Sequence, residues 1–429
     1  SWTLYNASVD THAVSRVLTN ATLRMASLSS NVTPCGELAC QKDSYLREMT
    51  TRVISCKPRV SPDAEADGKN GKKKKKGASE GNKGPQWDVV LQDTCLFPEG
   101  GGQPSDTGSI GGVPCRAVAN VEGVAVHVLS APLEPGAEVE AKVDWERRWD
   151  HMAQHSTQHL LTALASKLWG VDTVSWGLAS PHCYLELSGC PNFTEDQRAE
   201  LERAANDAIR AGTLVTPSWH SVQDVNEGSV EGLRKSSKAL PASVTGPVRV
   251  VRFQGSFQGA AGLDTNTCCG THVQTTAHLQ AVKLLRIEKN KGNSKVYYLA
   301  GPRVLSALGA CIDREANLTR LLSSGPSEVV AKVDDLLSKQ RLAEKLRKAL
   351  VGELVDLLAQ KLREEAVAGA GPRVLACHRD LSEGLDPPEF AKALASQLDD
   401  ALAKPPGKLL VLTLGQASGQ ASGQASGQA

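Results

Sequence analysis

Three of the chain's ten histidines lie four residues apart in the stretch HMAQHSTQHLL, at His151, His155 and His159. Residues four positions apart lie one above the other on a helix face, because each residue turns the helix by about 100°. The segment Asp150–Gly170 has no proline and ends in glycine, which predicts a helix. His155 and His159 then lie roughly 165° from the helix's leucine stripe. They are either part of a solvated polar face or half of a metal site.

A second pair of candidate ligands lies in the stretch TNTCCGTHV. Cys268 and His272 are again four apart, whereas Cys269 and His272 are three apart. Thiolate and imidazole groups suit zinc, which takes four tetrahedral N or S ligands. The two stretches therefore predict one zinc ion per chain, held by His155, His159, Cys268 and His272.

The role of this zinc is left open by the residues alone. With four protein ligands the site is closed and structural, whereas without His272 it keeps an open position for water or substrate. An open position would lower the pKa of bound water or polarise an ester carbonyl. His151 is turned by about 60° from the ligand face, which predicts a surface residue of the first helical turn rather than a ligand.

A glycine-rich motif, EGGGQPSDTG, precedes the histidine helix. Gly101 and Gly102 would let the backbone approach a substrate closely. Gln103 carries both donor and acceptor groups, which suit a ribose or an amino-acid hydroxyl. Asp106 would orient the turn beside the substrate. The alternative is an ordinary glycine-rich β-turn.

The basic residues are candidates for contacts with phosphate. The net charge is only +1, so the whole chain is not drawn to nucleic acid and local clusters would have to do so. Arg147 and Arg148 lie at the start of the histidine helix, and Lys291 lies in the stretch EKNKGNSK. We predict that these three residues bind substrate, although each alone is typical of a solvated surface.

Composition limits the class of protein. The eleven cysteines are scattered, which favours reduced intracellular thiols over a disulfide framework. No apolar run reaches the length of a membrane span, and no secretory signal is evident. We therefore expect a cytoplasmic protein without a membrane partner.

Residue patterning divides the chain into six segments. Short β-branched stretches between Gly and Pro turns predict an antiparallel β-barrel. The sequence after the histidine helix alternates strand-like and helix-like segments, which predicts an α+β domain. A Leu-, Lys- and Glu-rich stretch predicts long helices. The predicted segments are a disordered extension (1–35), a β-barrel domain (36–149) with a Lys-rich insert (61–85), an α+β domain (150–301), a helical region (302–366), a small α/β segment (367–414) and a disordered repeat tail (415–429).

Three motifs occur together in one order: FPEGGGQPSDTG at 97–108, HSTQH at 155–159 and CCGTH at 268–272. Together they resemble the editing domain of alanyl-tRNA synthetases and, more closely, the freestanding alanyl-tRNA editing proteins of the long-chain type. The resemblance covers roughly residues 36–415. It implies a β-barrel domain, an α+β editing domain with zinc, and a helical plus globular C-terminal region. The Ser- and Asn-rich start departs from the family, and the C-terminal globular segment looks truncated.

The resemblance also implies an activity, which is hydrolysis of the ester of mischarged Ser-tRNA(Ala) and, more slowly, of Gly-tRNA(Ala). A pocket shaped for alanine rejects an added hydroxyl poorly, so a second site must remove serine. We assign catalytic roles to Gln103, His155 and His159, with Gln103 near the hydrogen bond that reads the serine hydroxyl. The partner is the acceptor end of tRNA(Ala). The sequence contains no phosphate-binding P-loop motif, so we expect ester hydrolysis rather than synthesis.

Two other classes of function fit part of these observations. A non-catalytic, zinc-stabilised RNA-binding module would share the zinc and basic residues but does not need the Gln-bearing glycine motif. A helical interaction scaffold would rest on the helical region, through which we also expect weak self-association. A zinc protease fits poorly, because this HxxxH lacks the glutamate of HExxH.

Overall fold

The structure is a computed structural model, and it describes residues 32–59, 84–234, 246–257, 260–367, 374–380, 387–402 and 409–415. Residues 1–31 of the extension, residues 61–83 of the Lys-rich insert and residues 416–429 of the tail lie outside the described residues. The chain forms two compact units, Ser1–Ala310 and Cys311–Ala429.

The first half of unit one is a closed antiparallel barrel. Its strands are β1 (Glu48–Pro58), β2 (Trp87–Leu91), β3 (Gly108–Ile110), β4 (Val113–Val121), β5 (Val124–Leu129) and β6 (Glu138–Val143). They pair in the order β1–β2–β5–β4–β3–β6, and β6 closes on β1 with Lys142 opposite Glu48. Closure leaves no unpaired strand edge, while Val89, Ile110 and Leu129 fill the interior. The predicted barrel is confirmed.

Residues 32–35 pack on this barrel, so the prediction of a disordered extension as far as residue 35 is wrong at its end. The Thr33 amide donates to the Gln92 carbonyl at 2.8 Å, and the Cys35 amide donates to the Gly123 carbonyl at 2.7 Å. These backbone bonds order a segment whose composition alone is typical of disorder. The short helix α1 (Ala39–Lys42) follows directly.

The histidine helix, α2, spans Trp145–Trp169 and begins before the predicted Asp150. The Asp144 side chain caps its first turn, and Gly170 ends it in the left-handed region with φ 66°. Every residue from 151 to 165 is buried. A solvated polar face is therefore wrong for this helix. The surface position predicted for His151 is also wrong, because this residue is only 6% exposed.

The rest of unit one is α+β. Its elements are β7 (Thr173–Gly177), β8 (Cys183–Leu187), α3 (Glu195–Arg210), β9 (Val215–His220), α4 (Val222–Glu227), β10 (Val248–Phe253), β11 (Ser256–Phe257), β12 (Ala260–Ala261), β13 (Asp264–Thr267), a 3₁₀ turn (Thr276–Leu279), β14 (Val282–Asn290) and β15 (Asn293–Ala300). One sheet has the order β14–β15–β8–β7 and another has the order β13–β10–β9, beside the hairpin β11–β12. The core of this half joins α2 to both larger sheets through Leu160, Leu185 and Phe253. Strand β13 leads directly into the CCGTH motif, which places it beside α2.

Helices follow, as predicted. They are α5 (Pro302–Leu322), α6 (Val329–Val367) and α7 (Pro387–Leu402), and the strands β16 (Val374–Asp380) and β17 (Leu409–Gly415) form a parallel pair. In unit two, Ala359 of α6 packs with Phe390 and Leu394 of α7.

The long helices expose many apolar side chains, among them Leu308, Leu321 and Leu350. Nothing in the described structure shows what covers them, so self-association through this region stays a prediction. None of the described helices is long and apolar enough to cross a membrane.

Candidate metal centre

Three histidines and one cysteine converge between α2 and the loop after β13. The candidate ligand atoms of His155, His159, Cys268 and His272 all lie within 4.8 Å of one another. The Cys268 Sγ atom is 3.5 Å from His155 Nε2 and 3.2 Å from His272 Nε2. Tetrahedral zinc with its usual bond lengths places nitrogen and sulfur ligands about 3.5 Å apart. The two motifs therefore meet in one cluster with the dimensions of a metal site.

Each imidazole is held through its Nδ1 atom by another side chain. The three pairs are His155 with Gln103 at 2.9 Å, His159 with Asp264 at 3.3 Å, and His272 with Ser156 at 3.1 Å. Such partners fix ring orientation and leave Nε2 available for a metal, as is usual for histidine ligands in proteins. All three rings are buried, so their orientation is also fixed by packing.

The two adjacent cysteines differ in their surroundings. Burial opposes ionisation of Cys268, but the imidazoles of His155, His159 and His272 hold the pKa of its thiol well below the ordinary value. Burial and, to a smaller extent, the neighbouring Cys268 thiolate together raise the pKa of Cys269 to about 12. Cys268 therefore has the thiolate character that a metal ligand needs, whereas Cys269 is a neutral thiol.

Gln103 lies behind the cluster rather than facing a substrate. It is 0% exposed, and its Nε2 atom donates to Thr271 Oγ1 at 2.8 Å. Its Oε1 atom accepts from the Thr271 amide at 3.1 Å and pairs with His155 Nδ1 at 2.9 Å. The glycine turn thus inserts this amide between α2 and the CCGTH loop. These contacts favour a role for Gln103 in holding the His155 ring in place, rather than the predicted contact with a serine hydroxyl.

The glycines of the same motif allow close packing on the other side. Gly101 and Gly102 adopt φ values of 55° and 78°, which disfavour any residue with a Cβ atom. A Cβ on Gly102 would lie 2.6 Å from Cη2 of Trp176, and one on Gly101 would lie 2.8 Å from Sγ of Cys269. The turn is therefore fitted against the indole and the thiol.

A cavity of about 380 Å³ opens beside the cluster. Its walls include the ligands His155, His159 and Cys268, together with Gly100, Gly101, Trp176, Gln158, Asn266 and Arg249. The cluster is therefore accessible from a cavity that could hold a small polar molecule.

Asp106 and Arg148 form an ion pair in the interior, and both side chains are 0% exposed. Arg148 also donates to the carbonyls of Ser44 at 2.9 Å and Cys95 at 2.6 Å, and Asp106 accepts from the Phe97 amide at 2.7 Å. Enclosed groups of this kind cannot reach a tRNA phosphate. Both residues stabilise the junction between barrel and α2, which corrects the substrate-binding role predicted for them.

The other predicted phosphate contacts lie away from the cavity walls. Arg147 is half-buried, and its Nε atom donates to the Ser105 carbonyl at 2.9 Å. Lys291 is exposed in the turn between β14 and β15, with φ 46°. Neither residue is among those that line the cavity.

Several residues of the site are not predicted from the sequence. Ser156 lies inside the HSTQH motif and Asp264 lies four residues before Cys268, so proximity to the motifs was a usable signal for both. Trp176 and Arg249 carry no such signal, because strand pairing alone brings them to the cavity.

Comparison with known proteins places the chain in a family. Residues 248–297 match the family model described as the threonyl and alanyl tRNA synthetase second additional domain. "Alanyl-tRNA editing protein Aarsd1" of Rattus norvegicus is 38% identical over 377 residues, which cover 88% of this chain and 83% of that protein. The protein of the same name from Danio rerio is 40% identical over 331 residues, covering 77% of this chain and 74% of the relative. "Alanine--tRNA ligase" of Pyrobaculum calidifontis is 29% identical over 336 residues, covering 76% of this chain and 36% of that protein. The extent of the Aarsd1 matches, taken with the three ordered motifs, shows that this chain belongs to the family of alanyl-tRNA editing proteins.

Proposed function

We propose that this chain is a trans-editing aminoacyl-tRNA deacylase that hydrolyses the ester of mischarged Ser-tRNA(Ala) and, more slowly, that of Gly-tRNA(Ala). The relatives named alanyl-tRNA editing proteins support editing of alanyl-tRNA as the broad activity. One observation carries the finer proposal: four N and S ligand atoms within 4.8 Å of one another, three of whose residues form part of a cavity wall.

The ligand set fits zinc. Imidazole nitrogen and thiolate sulfur are donor atoms that zinc usually binds in proteins, and the four residues are mostly buried. Zinc held by all four residues would join α2 to the CCGTH loop, whereas zinc held by three of them would keep an open position that polarises an ester carbonyl or a water molecule. Gln103, Asp264 and Ser156 would keep the three imidazoles in the orientation that binds the ion.

The selectivity requires a polar group that faces the cavity. Gln103 is enclosed, so another residue must hydrogen-bond the serine hydroxyl. Asn266 lies two positions before Cys268 and lines the cavity, and residues two apart in an extended segment face the same side. Asn266 is therefore our candidate, and the Gln158 amide is a second polar group on the cavity wall. A site built for a hydroxyl disfavours alanine, which leaves that polar group unpaired.

The partner that follows from this activity is the acceptor end of tRNA(Ala). The exposed Lys291 and the half-buried Arg147 stay candidates for phosphate contacts, since both keep solvent-accessible charge. Arg148 is no longer one of them. Phosphate contacts would make tRNA binding weaken as salt rises.

Gln103→Ala tests the ligand-holding role of this amide. We expect zinc affinity to fall about 10–100-fold, because the loss of a group that hydrogen-bonds a metal-ligating histidine typically weakens metal binding by that factor. All substrates should then be hydrolysed more slowly at limiting zinc, with the preference for serine retained. Zinc competition with a chromogenic chelator measures the affinity, and Gln223→Ala on the exposed face of α4 is the matched control. A narrowed serine preference at unchanged zinc affinity would restore Gln103 as a substrate contact.

The zinc requirement is tested by removing and restoring the metal. Protein purified without added metal is analysed for zinc, stripped with a chelator, and incubated with Ser-tRNA(Ala) before and after zinc is returned. We expect hydrolysis to stop and then recover. Full activity in stripped protein would exclude the zinc requirement. A zinc-loaded protein that binds tRNA but leaves the ester intact would instead favour the non-catalytic RNA-binding module.

A further inference from the structure

Arg249 is a buried cation directly behind the CCGTH loop. It lies on β10, is 5% exposed, and lines the cavity beside the metal cluster. Among the described residues no carboxylate lies within ion-pair distance of its guanidinium. Burying a guanidinium without a carboxylate is costly, so its other contacts must compensate.

Those contacts go to backbone carbonyls of the ligand loop. The Arg249 Nη1 atom donates to the carbonyls of Cys268 and Gly270, both at 2.8 Å, and Nε donates to the carbonyl of Gln41 at 3.1 Å. The Gln41 Nε2 atom in turn donates to the carbonyl of Cys269 at 2.9 Å. The carbonyls of Cys268, Cys269 and Gly270, which are consecutive in the loop, therefore all accept hydrogen bonds from Arg249 or Gln41.

The same strand also holds the loop through its backbone, because the Cys268 amide donates to the Arg249 carbonyl at 3.1 Å. With its amide and carbonyl both engaged, Cys268 has a fixed direction for its side chain. The Sγ atom of Cys268 then points to the imidazoles of His155 and His272.

We propose that Arg249 is a positioning residue of the metal site, which fixes the Cys268 ligand by binding the loop carbonyls. The proposal rests on the zinc site of the proposed function and assigns it a supporting residue. Arginine suits this role because its planar fork donates to several acceptors at fixed angles, which a lysine ammonium cannot reproduce.

The test compares Arg249→Gln and Arg249→Lys with Arg252→Gln in the full chain. Arg252 is the matched control, because it lies on the same strand with a side chain 38% exposed. Zinc release to a chromogenic chelator is timed for each variant, and the thiolate-to-cobalt charge-transfer band is recorded after Co²⁺ substitution. Circular dichroism checks that each variant is folded.

We expect Arg249→Gln to release zinc about 10–100-fold faster than the unchanged chain and to shift the cobalt band. Arg249→Lys should release zinc at a rate between those of Arg249→Gln and the wild-type chain, because lysine keeps the positive charge but lacks the planar guanidinium. Arg252→Gln should release zinc at the wild-type rate. If Arg249→Gln does not fold, Arg249→Lys decides alone.

Wild-type release rates and an unshifted band in the Arg249 variants would overturn the positioning role while leaving the zinc site intact. An unchanged chain that binds neither zinc nor cobalt would overturn this proposal and the zinc part of the proposed function together. Ester hydrolysis by the unchanged chain is scored separately, so the two failures are distinguishable.

Discussion

Protein carrying Cys268→Ala is expected to contain less than about a tenth of an equivalent of zinc and to lose hydrolysis of Ser-tRNA(Ala), since removing a thiolate ligand removes much of the binding free energy. The Cys268 Sγ atom lies within 3.5 Å of two ligand imidazoles, and its thiol pKa is held well below the ordinary value. No other thiolate of the described residues lies in the cluster. Elemental analysis after purification without added metal measures the loss.

Cys269→Ala is the matched control for that experiment. Burial raises the pKa of this thiol to about 12, and its sulfur packs near Gly101 instead of joining the ligand cluster. We therefore expect the Cys269 variant to keep its zinc and its hydrolysis rate. Loss of zinc from Cys269→Ala, with retention in Cys268→Ala, would reverse the assignment of the ligand.

Arg148→Ala is expected to destabilise the fold by about 3–5 kcal/mol, the usual cost of leaving one member of a buried ion pair without its partner. The side chains of Arg148 and Asp106 are both 0% exposed, and Arg148 also donates hydrogen bonds to the carbonyls of Ser44 and Cys95. Removing the guanidinium leaves the buried Asp106 carboxylate without its charged partner, with the Phe97 amide as a remaining donor, and it removes the Arg148 donors from the Ser44 and Cys95 carbonyls. The midpoint of urea unfolding, at an unchanged slope, measures the loss of unfolding free energy.

The neighbouring Arg147→Ala is the control. Arg147 is half-buried, and its side chain donates a hydrogen bond to the Ser105 carbonyl. Its removal is expected to cost about 0.5–1.5 kcal/mol, the typical net value of one hydrogen bond. Equal losses in the two variants would mean that the Asp106–Arg148 pair contributes no more than a surface contact.

The cluster of His155, His159, Cys268 and His272 could be predicted from the sequence because the spacing of these residues encodes their geometry. Two residues four apart on a helix must share a face, and Cys268 has the same separation from His272. The barrel was likewise predictable, since short β-branched stretches between turns have few other stable arrangements.

The supporting residues could not be predicted in this way, because their roles depend on tertiary pairing. From the sequence alone Arg148 is typical of a surface charge, because its partner Asp106 is distant in sequence and only the fold brings the two together. Gln103 reads as a substrate contact until the glycine turn directs its amide to His155 and Thr271. The burial of His151 is a tertiary effect, which helical periodicity alone does not predict.

Selectivity for the serine ester is the central claim, and one measurement tests it directly. Zinc-loaded protein is incubated with Ser-tRNA(Ala) and, under the same conditions, with Ala-tRNA(Ala), and the fraction of each ester that remains is followed over time. A cavity that hydrogen-bonds the hydroxyl should hydrolyse the serine ester faster by as much as about 10⁴-fold, with the alanine ester nearly inert. Equal rates on the two esters would contradict the editing function, whatever the zinc content of the protein.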